Sequence, residues 1–381
     1  MTLKEKVNTI FLIELRPVKV LTGIRVFTMD CNKENEGKAI TIYDIAKEAN
    51  VSAATVSRVL TNSTNVRKDK RERILEIIEK YNFRPNAMAR GLVDTRSKTI
   101  GIMVADIRNP FYSELFVACE AAACRQGYTV LLCNSYCDRE QEKILLEMLE
   151  EKRVDAIIQM GGRVDEVCTN KEYAEHVNRT TKNIPMMITG KLDGTGCYRI
   201  QIDAAQSMEI VMEYLAGLGH QKIAFLGGVN SDIMAAEREK VYRRMLKKYG
   251  LPFQNELYRQ EGNYDYETGY KQMEALFAAG ETPTAVIAIN ECCAIGVMAS
   301  IREHGLSIPE DISVMGYDNT FMSGLVTPKL TSIDYGYDEF GERIVSSAVA
   351  ALEGQKVQQV QYVKTKLVVR DTTGSVNSGQ K

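Results

Sequence analysis

The fold of the first part of this chain is decided by residues 41–60, "TIYDIAKEANVSAATVSRVL". Apolar residues recur there at i, i+3, i+4 and i+7, a spacing that predicts a helix whose apolar stripe is Ile42, Ile45, Ala46 and Ala49. After a break at Asn50, Ser52 is a favourable N-cap for a second helix. The buried face of that second helix would be formed by Val56, Val59 and Leu60.

A third helical pattern follows a polar segment at residues 61–65. Its apolar stripe consists of Ile74, Ile77, Ile78 and Tyr81. Three short helices, of which the first two are separated by a tight turn, are typical of a helix-turn-helix domain, here residues 40–84.

The second helix has small side chains at its front end. Ala53 and Ala54 precede Arg58 by about one turn, and Arg58 lies away from the apolar face. In a recognition helix, alanines allow close approach to the base edges of the major groove, where an arginine can donate two hydrogen bonds to guanine. Taken alone, the same residues also fit an exposed surface helix in which Ala and Arg favour helicity.

Charge is unevenly distributed along the 381 residues. Residues 40–96 contain 11 Lys and Arg against 7 Asp and Glu, a net charge of +4, whereas the whole chain has a formal net charge of −2. Residues 40–96 are therefore basic and the rest of the chain is acidic. This distribution indicates an anionic partner for residues 40–96 and not for the remainder.

Composition also bears on compartment and chemistry. Residues 1–39 show no sustained periodicity and no secretory signal, so we interpret them as a disordered leader that is not necessarily native. Nine scattered cysteines and three histidines predict free thiols in a cytoplasmic protein, with no metal site and no cofactor. No apolar run is long enough to span a bilayer.

From Thr99 onward, short apolar runs alternate with helical stretches, which predicts parallel sheets built from βαβ units. Two consecutive sets of runs predict two doubly wound lobes. We expect the first lobe at residues 99–197 and 333–357, the second at 198–330 and 358–372, and a tail at 373–381. Ligands of such lobes bind at the carboxyl ends of the strands.

The sequence of residues 41–60, continued by "RERILEIIEKYNFRPNAMARGL" (71–92), closely resembles the DNA-binding headpiece of the lactose-repressor/galactose-repressor family of transcriptional regulators. The resemblance continues through "VADIRNPFYSEL", "LGHQKIAFLGG" and "LSIPEDISVMGYDNT". Within the family, the sequence is most similar to Gram-positive catabolite control and sugar-operon regulators. It implies a periplasmic-binding-protein-like core, a hinge helix within residues 85–98 and a homodimer that reads a palindromic operator with a central CG step.

The resemblance also assigns DNA contacts by position. The candidates in the helical domain are Thr41, Tyr43, Ser52, Ala53, Ala54, Thr55, Ser57, Arg58 and Asn65. In the hinge segment they are Asn86, Ala89 and Leu92, and Leu92 matches the leucine that is wedged into the minor groove.

An effector cleft is implied between the lobes. Its candidate residues are Asp106, Phe111 and Tyr112 from the first lobe, and Arg238, Tyr264, Asn290 and Asp318 from the second. Aromatic faces and directional polar groups suit a sugar or sugar phosphate. From the residues alone, Arg238 could be solvated, Asp318 could cap a loop and Asn290 could cap a helix.

Three positions depart from the family pattern. Gly190-Lys191 replaces the Asp-Arg pair of many sugar-responsive members, Glu291 replaces an aspartate, and Val241 replaces a glycine. Catabolite control proteins also lack that aspartate and respond to a phosphorylated phosphocarrier protein, so this partner remains an alternative input.

Three classes of function were weighed. The first is an allosteric DNA-binding regulator, most often a repressor, of carbohydrate genes. The second is a sugar-binding protein without a DNA role, which the headpiece argues against. The third is an enzyme, for which no G-x-G-x-x-G, Walker A or G-x-S-x-G motif follows a strand. We therefore expect a regulator without catalytic residues.

Overall fold

The computed structural model describes residues 40–60, 66–83 and 96–376, which fall into two compact units divided after Arg90. The first unit contains helices α1 (Ile42–Glu48), α2 (Ala53–Leu60) and α3 (Lys68–Lys80). They enclose one apolar cluster whose fully buried members include Ile45, Val56 and Ile74. The helix-turn-helix architecture predicted from the apolar spacing is confirmed.

Both front helices begin at capped residues. Thr41 and Asp44 form a capping box on α1, in which the Thr41 N–H donates to the Asp44 carboxylate at 2.8 Å. At the start of α2 the Thr55 N–H donates to Ser52 Oγ at 3.3 Å, as the predicted N-cap requires. These caps determine where each short helix starts and therefore which face of α2 is exposed.

Several predictions concern residues outside the described ranges. They are the leader at 1–39, most of the hinge segment and the candidate contacts Asn65, Asn86, Ala89 and Leu92.

The second unit is built on two six-stranded sheets. The strands of the first sheet run in the order β11-β5-β4-β3-β1-β2 and all pair in parallel. They are β1 (Thr99–Val104), β2 (Thr129–Asn134), β3 (Ala156–Met160), β4 (Met186–Ile188), β5 (Tyr198–Ile202) and β11 (Val360–Val363). The inner strands β1 and β3 are almost wholly buried because helices cover both faces of a parallel sheet.

The second sheet has the order β12-β10-β9-β8-β6-β7, and β12 alone among the described strands pairs antiparallel. Its strands are β6 (Ile223–Leu226), β7 (Tyr258–Arg259), β8 (Ala285–Ala288), β9 (Ser313–Asp318), β10 (Thr331–Asp334) and β12 (Lys366–Val368). The predicted α/β core of two doubly wound lobes is confirmed.

Helices cover the faces of both sheets. In chain order they are α4 (Pro110–Arg125), α5 (Arg139–Glu151), α6 (Lys171–Thr180), α7 (Ala204–Gly217), α8 (Ile233–Lys248), α9 (Tyr266–Ala278), α10 (Glu291–Glu303), α11 (Phe321–Leu325) and α12 (Tyr337–Leu352). Late in the chain, α12 returns to the first lobe and packs along α4. None of the helices in the described part is long and apolar enough to cross a membrane.

The strand pairings correct the predicted lobe boundaries. Tyr198–Ile202 was assigned to the second lobe but pairs with β4 of the first sheet, and Val360–Val363 pairs with it in turn. The predicted return to the first lobe at residue 333 is too early, because Thr331–Asp334 belongs to the second sheet. The chain thus crosses between lobes after β5, β10 and β11. An apolar run shows that a strand forms, but long-range hydrogen bonding decides which sheet it joins.

We expect Gly341→Ala to destabilise the second unit, because a Cβ at residue 341 of α12 would lie 2.6 Å from the Ala118 carbonyl carbon and 2.7 Å from the Cys119 nitrogen of α4. Overpacking of this kind costs roughly 1–3 kcal/mol of unfolding free energy. Gly217→Ala is the matched control, since that helical glycine has nothing within 4 Å of its added Cβ. Denaturant unfolding should show a loss for the first variant alone; equal effects would contradict the close approach of α4 and α12.

Candidate functional site

The exposed face of α2 is the first candidate site. Ala54 and Arg58 are exposed, Ala53, Thr55 and Ser57 are half-buried, and Val56 and Val59 are buried in the apolar cluster. Ser52, Thr41 and Tyr43 are also exposed, and Tyr43 has 73% of its surface accessible. The helix therefore presents small side chains followed by one arginine, which is the geometry that a base-reading helix needs.

The second candidate site is a cavity of about 890 Å³ within the two-lobed unit. Its lining comes from both lobes and includes all seven predicted effector residues: Asp106, Phe111, Tyr112, Arg238, Tyr264, Asn290 and Asp318. Asp106 follows β1 closely, Asn290 follows β8 and Asp318 ends β9. The cavity thus lies at the carboxyl ends of the strands, as expected for an open α/β sheet.

Arg238 is a buried anchor of the cavity and not a solvated helix residue. Its Nη1 donates to the Ile289 carbonyl oxygen at 3.1 Å, and its Nη2 donates to the Tyr335 hydroxyl at 2.8 Å. The guanidinium carbon lies 3.6 Å from the centroid of the Tyr317 ring. A cation held by two hydrogen bonds and an aromatic face is rigid and can orient a polar ligand.

Asp318 lies at the end of β9 with a left-handed backbone, φ 91°, which a non-glycine residue rarely adopts. Burial raises the pKa of Asp318 to about 6, although the nearby Arg238 guanidinium opposes the rise. The Tyr337 hydroxyl donates to the Asp318 carbonyl oxygen at 3.0 Å and supports this turn. Strain retained at the cavity wall indicates a functional position.

Two other predicted residues have structural partners of their own. Asn290 caps α10: its Oδ1 accepts from the Cys293 N–H at 2.9 Å, and its Nδ2 donates to the Tyr264 carbonyl oxygen at 2.9 Å. Asp106 accepts from Arg108 Nη2 at 2.6 Å, and this hydrogen bond lowers the pKa of the carboxyl group. Each therefore shapes the cavity as well as lining it.

Aromatic rings form one wall of the cavity. The Phe111 ring meets that of Tyr112 at 5.1 Å between centroids and that of Tyr335 at 5.8 Å, both edge to face. Phe111 lies in the first turn of α4, and its N–H donates to Asn109 Oδ1 at 3.0 Å. Such a wall suits the apolar face of a sugar ring.

The sequence analysis missed five carboxylates of the cavity wall: Glu142, Asp165, Glu166, Asp232 and Asp265. The Tyr112 hydroxyl donates to Asp165 Oδ2 at 3.2 Å. Glu142 accepts from the Arg163 N–H at 3.2 Å, and burial raises its pKa to about 7. The available signal was the glycine pair at 161–162, whose absent side chains leave room for Tyr112 and Glu142.

Glu291, one of the departures from the family pattern, lies behind the cavity wall. Thr320 Oγ1 and Ser323 Oγ both donate to its carboxylate. Burial raises the pKa of Glu291 to about 7, and the Asp318 carboxylate also raises it. The larger acid thus ties α10 to the start of α11.

No group of three or more potential metal ligands occurs in residues 40–60, 66–83 and 96–376.

The fold and the two sites together define a class: a helix-turn-helix DNA-binding unit joined to a two-lobed binding core. The family model for bacterial regulatory proteins of the lacI family matches residues 41–86, and the model for a periplasmic binding protein-like domain matches residues 212–373. The chain belongs to the lacI family and is a DNA-binding transcriptional regulator.

Similar proteins include regulators of known structure or activity. Catabolite control protein A of Priestia megaterium is 37% identical over 297 residues, covering 77% of this chain and 87% of that protein. The HTH-type transcriptional repressor PurR of Vibrio vulnificus is 32% identical over 340 residues, covering 88% and 99%. The lac repressor dimer bound to operator and the anti-inducer ONPF superposes with a TM-score of 0.79 at 28% identity, covering 88% of this chain and 100% of that one.

We expect Glu291→Gln to become more stable than the wild type as the pH rises. The folded state raises the pKa of Glu291 from 4.5 to about 7. The stabilisation of the folded state by protonated Glu291 is therefore fully present below pH 4.5 and is lost as the pH rises through 7. The difference in unfolding free energy should grow by about 1 kcal/mol per pH unit between pH 5 and 7. Denaturant titrations should show this trend for Glu291→Gln and not for Glu237→Gln on the exposed face of α8; a constant difference would contradict it.

Proposed function

We propose that this regulator is a homodimer that represses carbohydrate genes from a palindromic operator and responds to a small polar effector in its inter-lobe cavity. The observation that carries this proposal is the outer face of α2, on which Ala53 and Ala54 precede Arg58. The other face of the same helix packs into the apolar cluster of the first unit.

DNA recognition follows from that face. With α2 in the major groove, Ala53 and Ala54 admit close approach, and Arg58 reads guanine through O6 and N7. Thr41, Tyr43, Ser52, Thr55 and Ser57 contact phosphates or base edges and set the register. Outside the described residues, Asn65 joins these contacts, and Asn86, Ala89 and Leu92 contact the minor groove at the operator centre.

Exposed apolar side chains of the second unit support a dimer. Val117 on α4 is 60% accessible, and Phe321 and Leu325 on α11 are 62% and 75% accessible. Exposed large apolar side chains of this kind are candidates for an association site. Two copies related by a two-fold axis would match the two halves of a palindromic operator.

The effector is bound by residues of both lobes. Asp106, Phe111 and Tyr112 hold it from one side, and Arg238, Tyr264, Asn290 and Asp318 from the other. A ligand that contacts both walls stabilises one lobe arrangement over another, and differential affinity of this kind is what allosteric control requires.

A phosphorylated phosphocarrier protein is a second candidate input. It is favoured by the similarity to a catabolite control protein and by Gly190, which stands where many sugar-responsive members have an aspartate. Protein–protein contact would then supplement or replace the small effector.

Selection of bound DNA from a random library by the full chain, at stated salt, tests the proposed function. Recovery of two inverted half-sites around a CG step is expected. The selection is repeated with candidate sugars and with the phosphorylated phosphocarrier protein, and the input that changes recovery is the regulatory one. If no motif emerges under any of these conditions, the proposed operator recognition is wrong.

Arg58→Ala should weaken binding to the selected operator by roughly 1–3 kcal/mol and relax the preference at one base pair per half-site, because a bidentate contact to guanine is lost. Arg67→Ala serves as the control, since Arg67 is an exposed arginine of the same unit that pairs with Asp69. Fluorescence anisotropy on operator variants measures both effects. A uniform loss on all sequences would instead make Arg58 a phosphate contact.

Leu325→Glu should shift the chain towards monomer, because a carboxylate would have to lose its hydration in the proposed dimer interface. Tyr249→Glu, at an apolar residue that is 39% accessible at the end of α8, should leave the assembly unchanged. Sedimentation velocity over a concentration series distinguishes these outcomes. A Leu325→Glu variant that sediments like the wild type would exclude α11 from the interface.

A further inference from the structure

Carboxylates outnumber basic groups in the lining of the inter-lobe cavity, with seven of the former and four guanidinium groups. Two of the arginines are already paired: Arg108 Nη2 lies 2.6 Å from Asp106 Oδ2, and Arg139 Nη2 lies 2.8 Å from Glu166 Oε1. A third, Arg238, is held by the Tyr335 hydroxyl and a carbonyl oxygen. Several carboxyl groups of the lining therefore remain without a basic partner in the part of the chain that the structure describes.

Asp165 is a carboxylate of the first lobe that lacks a basic partner. Among the described residues it forms no ion pair, and its hydrogen bond comes from the Tyr112 hydroxyl. Burial raises the pKa of Asp165 well above its usual value, and the carboxylates of Asp232 and Glu142 raise it further. A carboxylate in this setting gains most from a cation brought by a ligand.

The position of Asp165 explains the glycine at residue 190. A Cβ on Gly190 would lie 2.0 Å from the Val164 carbonyl oxygen and 2.6 Å from Asp165 Oδ1. No side chain fits at residue 190 while Asp165 is in place. Gly190 thus leaves the room that the Asp165 carboxylate occupies at the end of β4.

Asp232 faces Asp165 from the second lobe. It caps α8 by accepting from the Ala235 N–H at 3.0 Å, so its position is determined by the helix. The two lobes touch beside it: Glu166 and Asp232 form an antiparallel bridge, and the Val167 N–H donates to the Ser231 carbonyl oxygen at 2.8 Å. The two carboxylates therefore lie close together in the cavity, one from each lobe, where the lobes meet.

The Tyr264 hydroxyl is a further polar group of the cavity that a ligand can contact. This hydroxyl is buried beside the Asp232 carboxylate, to which it can donate, and its oxygen accepts no hydrogen bond from any residue that the structure describes. Burial raises the pKa of Tyr264 well above its usual value, and the carboxylates of Asp232 and Asp165 raise it further. A buried hydroxyl oxygen that accepts no hydrogen bond can accept one from a ligand.

We propose that the effector carries a positively charged amino group, held between Asp165 of the first lobe and Asp232 of the second with the Tyr264 hydroxyl as a further acceptor. An ammonium offers three N–H donors and no acceptor, which matches these three oxygen groups. The aromatic wall accommodates the remainder of a polyol, so the ligand class is an amino sugar. This inference rests on the proposed function, since it concerns the effector of the same cavity.

Calorimetric titration of the full chain with glucosamine, galactosamine and mannosamine, each against its neutral parent hexose, tests the inference. At least one amino sugar should bind about ten-fold or more tightly than its parent, as charge-assisted hydrogen bonds are stronger than neutral ones. The N-acetyl form of that sugar, which lacks the charge, should lose the advantage.

Asp165→Asn should weaken binding of the amino sugar by about ten-fold or more and leave the parent hexose unaffected, because only the charged partner is lost. Asp193→Asn is the matched control, since Asp193 is a carboxylate of the same lobe that pairs with Lys191 outside the cavity lining. Thermal unfolding of both variants establishes that each is folded.

The inference is overturned if no amino sugar binds better than its parent hexose, or if Asp165→Asn and Asp193→Asn affect amino-sugar binding equally. These failures are distinct from failure of the proposed function. A palindromic motif recovered without amine preference rejects the charged effector alone, whereas amine binding without any DNA motif rejects operator recognition and leaves the effector class standing.

Discussion

The parallel pairing of strands is the constraint on which the two-lobed unit depends. In parallel sheets all strand ends of one kind emerge at one edge, so the residues that follow β1, β8 and β9 meet at a single cavity. Because the chain crosses between lobes three times, each lobe includes segments that are far apart in sequence. A ligand that contacts both lobes would therefore favour the lobe arrangement in which both contacts are made.

Glycines at the carboxyl ends of β3 and β4 determine what the first lobe presents to that cavity. Gly161 has φ 80° and leaves room for the Tyr112 hydroxyl, while Gly162 has φ 75° and leaves room for the Glu142 carboxylate. Gly190 performs the same role for Asp165. In each case the missing side chain admits a polar group from another residue of the cavity wall.

The buried acids of the cavity connect binding with stability. Asp318, Glu142 and Glu291 all have raised pKa values, which means that charging them in the folded state is unfavourable. Proteins retain such costly groups where function requires them. Arg238 and the aromatic rings around it hold the opposite wall rigid, so a ligand meets a largely preformed site.

The sequence by itself determined the helix-turn-helix unit, the face of α2 that carries Arg58 and the two-lobed α/β class, and its resemblance to a family pointed to seven residues that line the cavity. Local periodicity and caps suffice for short helices, because their hydrogen bonds and stripes are local. Tertiary structure alone decided that Tyr198–Ile202 and Val360–Val363 join the first sheet, that Asn290 is occupied as a cap, and that Asp165 faces Asp232. Those features depend on strand pairing and on side chains brought together across the chain, and neither leaves a periodic signal in the sequence.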